Sequence, residues 1–126
     1  MQLEFLEDIN NYQEDIIRLY GFDSAEAIKF KSVIDKLIVD QKNIDLSTLD
    51  FIQAINCDLS LRVSETDEGI TASAKGNFNC DLTLESYKRI STLIEPFCKK
   101  ESRGFQWLYE LDTPIDFLFS PGGKWW

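Results

Sequence analysis

Histidine is absent from all 126 residues. With it goes the side chain whose unperturbed pKa lies nearest neutrality and which serves most general acid–base chemistry. A Ser-His-Asp triad, a Cys-His dyad, an HExxH zinc site and a facial iron triad all require it. The sequence also lacks a GxxxxGK[ST] phosphate loop, a GxGxxG turn and a DxDxDG calcium loop; its one Gly-Gly pair, Gly122-Gly123, follows Pro121 near the C-terminal end. Only carboxylate, lysine, tyrosine or cysteine chemistry remains. Asp112 and Asp116 flank a turn, as an acid and a base could, but a turn alone supplies neither the cleft nor the raised pKa that such chemistry needs. The expectation is a non-enzymatic protein with no cofactor and no bound metal.

Long apolar runs are missing too. No stretch of 18 apolar residues exists to cross a bilayer, and Met1 to Asp8 is acidic where a secretory signal carries positive charge. Cysteine is sparse, at 57, 80 and 98, with no CxxC pair and an odd count. That pattern predicts reduced core residues rather than a disulfide framework, and a cytoplasmic protein with no membrane contact.

What is abundant is acid. Twenty-two acidic side chains face 13 basic ones, for a net charge of -9, while 44% hydrophobic and 13% aromatic residues suffice for a core. The length suits one domain over 1–126. Such a charge repels the nucleic-acid backbone, so no direct nucleic-acid binding is expected.

The apolar spacing predicts an α+β fold. At 100° per residue, Phe5, Leu6, Ile9, Tyr12, Ile16, Ile17, Leu19 and Tyr20 share one arc and Glu4, Glu7, Asp8, Glu14 and Asp15 the opposite one, which reads as an amphipathic helix. Gly21 would end it. Asp23-Ser24-Ala25-Glu26 forms a capping box for a second helix to about Asp40, completing an N-terminal helical hairpin over 1–40. Residues 46–56 are short and ambiguous, with a three-residue spacing of Leu49, Ile52 and Ile55 that fits a short helix. Alternation then predicts one hairpin from Cys57 to Val63 and Ile70 to Cys80. A helix follows from about Leu84, broken near Glu95 by Pro96, and then an aromatic hairpin from Phe105 to Leu111 and Ile115 to Phe119. The expected sheet over 57–119 is antiparallel with about four strands, one helix between its hairpins, helices on one face, and a tail at 120–126.

Acidity is local. Residues 1–20 carry five acids and one base, and residues 45–68 carry six acids and one base, so these two segments account for the whole -9. Brought together on one face, they would steer a basic partner and fix its orientation. The candidate partner-binding residues are Glu4, Glu7, Asp8, Glu14 and Asp15 with Glu65, Asp67 and Glu68. The plainer reading makes the first set a helix-dipole complement and Asp67-Glu68-Gly69 a solvated turn. Trp125 and Trp126, on a Gly-Gly hinge, would either fold back over the sheet or anchor a partner.

Small size, acidity, compactness and the closing run Ile115-Asp116-Phe117-Leu118-Phe119-Ser120-Pro121-Gly122-Gly123-Lys124-Trp125 make this chain resemble the immunity proteins of bacterial polymorphic-toxin and contact-dependent inhibition systems. The resemblance implies binding to a cognate toxin domain, often a nuclease with a basic substrate cleft, and neutralisation by covering its active or substrate-binding site. It assigns no role to any one residue. The alternative is an intracellular adaptor or subunit of a larger assembly that binds through apolar and aromatic surface.

Overall fold

The N-terminal segment is extended, not helical. In the computed structural model, which describes residues 1–7, 15–100, 104–110 and 113–125, Gln2–Leu6 (β1) pairs antiparallel with Asp15–Tyr20 (β2), Leu3 opposite Leu19 and Phe5 opposite Ile17. Ile16, Ile17 and Leu19 are all buried. A strand covered on both faces loses its period-two signature, and the remaining run of apolar residues satisfies a helical arc equally well. The expected helical hairpin is therefore corrected to a β-hairpin followed by one helix, Ser24–Asp40 (α1). That helix starts where the capping box places it, with the Glu26 N–H donating to Asp23 Oδ1 at 2.9 Å. Gly21, at φ +64°, ends a strand rather than a helix.

The sheet is likewise larger than the expected four strands. After Ile44–Asp45 (β3), the ambiguous stretch 46–56 holds a 3-10 turn at Leu46–Thr48 and Gln53–Ala54 (β4) in place of the expected short helix; Asp58–Val63 (β5), Gly69–Ala74 (β6) and Asn77–Leu82 (β7) precede the second helix, Leu84–Lys99 (α2). Gln106–Tyr109 (β8) and Ile115–Ser120 (β9) form the aromatic hairpin. Among the described residues, nine strands make one mixed sheet in the order β3-β5-β7-β6-β9-β2-β1-β4, with β8 also on β9, curled into a half-barrel. The run from Ile70 to Cys80 is two strands, because Gly76 at φ +78° turns the chain back on itself. β5 then pairs in parallel with β7, and β2 in parallel with β9, between segments far apart in sequence. The fold is α+β, and five of the eight strand pairings among the described residues are antiparallel.

Pro96 does not stop α2, which runs on to Lys99 because Ile94 and Phe97 bury their side chains in the core. Phe22, Phe30 and Phe97 gather on Phe119 of β9, with ring centroids 4.3, 5.7 and 5.2 Å from it. Across the curl, the Phe5 ring of β1 lies 4.6 Å from Phe78 of β7. Cys57 and Cys80 are buried, Cys98 is partly so, and all three thiols are free. None of the described helices is long and apolar enough to cross a membrane.

A phenolic hydroxyl lies deep in this core. The Tyr87 hydroxyl of α2 enters the β5–β7 ladder, accepting from the Arg62 N–H at 3.1 Å and donating to the Cys80 carbonyl at 2.7 Å. Burial drives this phenol far above its ordinary pKa, so it is a permanent donor.

Candidate functional site

Strand register relates the two acidic segments. Asp15 pairs with Ile115, and Ile115 with Ile70, so β2, β9 and β6 share one row across the sheet. Two strand spacings, ~10 Å, separate Asp15 from Ile70. Glu7 follows the Leu6–Ile16 pair on β1, and Glu65, Asp67 and Glu68 lie in the turn that leads into β6. Register thus sets Asp15 two strands from Ile70, with Glu7 on the next strand out, while the hydrogen bonds of the 65–68 turn run to Asp81, Thr83 and Ser86. Glu7, Glu65, Asp67 and Glu68 are exposed. They sit on strand ends and a turn, not on the polar face of a helix. Asp8 and Glu14 lie outside the described residues.

The turn is held in shape from below. Asp67 accepts from the Thr83 N–H and from Ser86 Oγ, both at 2.8 Å, and so ties the turn to the start of α2. Desolvation pushes its carboxyl up, but these hydrogen bonds and the nearby Arg89 outweigh it and hold the group below its usual range. Gly69 takes φ +78°, and a Cβ there would lie 2.4 Å from Thr113 Oγ1, which itself accepts from the Ile70 N–H at 3.0 Å. Only glycine permits this close approach of β6 to the start of β9. Glu68 is steadied by Thr66, whose Oγ1 donates to Glu68 Oε1 at 2.7 Å.

Glu4 stands apart from the row. Its carboxylate takes Arg18 Nε at 2.9 Å and Nη2 at 2.5 Å, and both side chains are largely covered. Arg18 also stacks 4.0 Å over the Tyr20 ring and donates Nη1 to the Gly123 carbonyl at 2.7 Å. With Gly21 N–H on the Pro121 carbonyl and Ser120 Oγ on the Lys124 carbonyl, this clamps residues 121–124 back against β2. The spacing of charges gave no hint of this clamp, although an arginine inside Ile16-Ile17-Arg18-Leu19-Tyr20 signals a partner, since a covered charge needs one.

A second feature escaped sequence reasoning altogether. The C-terminal half of α1 and the corner made by β3 and the 3-10 turn enclose a groove of about 430 Å³, walled by Val33, Leu37, Ile44 and Leu49. Lys36, Lys42, Asp40 and Asp45 stand on its rim. These residues come from segments whose contact depends on β3 pairing with β5, which no local pattern announces. Among the described residues, no group of three or more cysteine, aspartate or glutamate side chains is placed to hold a metal ion.

Comparison with protein-family models, curated proteins and solved structures finds no match.

Proposed function

We propose that this chain is a non-enzymatic acidic binding protein that docks a basic protein partner on the carboxylate row from Glu7 through Asp15 to Glu65 and Glu68. The observation that supports this reading is the Asp15–Ile115–Ile70 register, which sets the end of the first acidic segment two strands from the strand that follows the second. Exposed carboxylates held on rigid strand ends and a braced turn supply orientation and a fast, salt-sensitive association. Asp67, exposed like its neighbours, also shapes the turn through Thr83 and Ser86, and Glu4 is neutralised by Arg18.

The class to which we assign this behaviour is the immunity protein: a cytoplasmic inhibitor that covers the active or substrate-binding site of a cognate toxin domain, such as a nuclease whose basic cleft expects phosphate. The test is co-expression with the product of the adjacent reading frame. Growth rescue by the wild type, and its loss in a Glu7→Gln, Glu65→Gln, Glu68→Gln variant of unchanged stability, supports the assignment. Rescue undiminished in the variant removes the row from the interface, and an adjacent product that is harmless alone removes the class.

The groove beside α1 favours a second reading, an adaptor or assembly subunit that binds through apolar surface. Val33→Asp would abolish assembly under that reading and leave it intact under ours.

A further inference from the structure

Away from the acidic row, two carboxylates meet with no cation between them. Asp45 ends β3 and caps the 3-10 turn, and Asp58 opens the neighbouring β5. The Ser47 N–H reaches both, 3.1 Å from Asp45 Oδ1 and 3.3 Å from Asp58 Oδ1. Ser47 Oγ donates to Asp45 Oδ1 at 2.9 Å, the Leu59 N–H to Asp58 Oδ1 at 2.8 Å, and Thr48 Oγ1 to the Asp45 carbonyl at 2.7 Å. Among the described residues, no ion pair involves either carboxylate. Lys36 and Asp40 of α1 and Lys42 of the following loop share the groove with Asp45. On the β5 side, the Cys57 thiol is pushed up to about 11 by burial first and then by the charges of Asp58 and Glu4. Two ionised carboxylates are acceptors only; placed together on one donor, they are good neighbours when they share a proton.

We propose that Asp45 and Asp58 form a proton-sharing clasp that holds the 3-10 turn, and with it one wall of the groove, against β5, and that loss of the shared proton loosens this corner. Desolvation pushes the Asp58 carboxyl up, and its hydrogen bond with Asp45 adds to that; Asp45 is held down, first by the bond from Asp58 and then, against desolvation, by Ser47. The pair titrates in two steps that belong to both residues. Stability from the raised step is fully present below the unfolded-state pKa and is lost as pH rises through the folded value, so the corner is tightest in mild acid.

Carboxyl-carbon and amide NMR titrations of the wild-type protein test this without any substitution. Both aspartates should report two linked steps, one above and one below the ordinary aspartate midpoint, and the Ser47 amide should follow both. Exchange protection of the Ser47 amide, corrected for intrinsic rate, should fall across the upper step by about tenfold per unit of its displacement from that ordinary midpoint. Asp58→Asn should leave one step, at Asp45, and abolish the change in protection. Independent titration of the two residues at ordinary midpoints in the wild type overturns the clasp, as does a protection change that survives Asp58→Asn. If that variant does not fold, the wild-type titration decides alone.

Discussion

The surface around Arg18 and the row from Glu7 to Glu68 both carry charge on the same sheet, and they dispose of it in opposite ways. Around Arg18, one guanidinium is consumed by Glu4, the Tyr20 ring and the Gly123 carbonyl, and the result is a pinned tail. Along the row, Glu7, Glu65 and Glu68 stay exposed to solvent. Charge that is spent inside a fold shapes it, whereas charge left outside is available to a partner. Removing polar groups of the first kind should therefore cost stability, and removing those of the second kind should cost binding.

The largest loss of stability is predicted at Tyr87. Tyr87→Phe strands the Arg62 N–H and the Cys80 carbonyl in the core, which should cost about 2–4 kcal/mol in urea unfolding. Arg18→Ala removes a largely covered ion pair and the tail clamp; a loss of about 1–3 kcal/mol is expected, with faster proteolysis after Ser120. Asp67→Asn should cost about 1 kcal/mol, after allowance for its exposure. Its carboxyl is held below the usual range, so its contribution is present above the unfolded-state pKa and lost as pH falls through the folded value. The difference between Asp67→Asn and wild type should accordingly shrink in acid. Last, Glu7→Gln, Glu65→Gln and Glu68→Gln together should shift stability by no more than about 0.5 kcal/mol at each site. A large loss there would place those carboxylates with Arg18 and end the contrast.

Helices and the aromatic hairpin were readable from local chemistry, because their signals are local. Asp23 and Glu26 mark the start of α1, and Phe117 and Phe119 alternate along β9. β2 was misread since burial of Ile16 on one face and of Ile17 and Leu19 on the other erases the alternation that distinguishes a strand. The parallel pairings β2–β9 and β5–β7 join residues about 100 and 20 positions apart, a relation that no window of sequence encodes. Trp107 illustrates the same limit on a smaller scale: a register shift before Tyr109 sets it opposite Leu118 rather than in line with Phe117 and Phe119. The candidate site inherits this division. Its acidic segments were visible from composition, while the pairing of Glu4 with Arg18 and the bracing role of Asp67 depended on contacts between segments remote in sequence.

The most direct test of the central claim is the salt dependence of association with the basic partner, measured for wild type and for the Glu7→Gln, Glu65→Gln, Glu68→Gln variant. We predict a steep fall in affinity with ionic strength for wild type, and for the variant a shallower slope with a reduced association rate at low salt. Identical slopes and rates for the two proteins would contradict it.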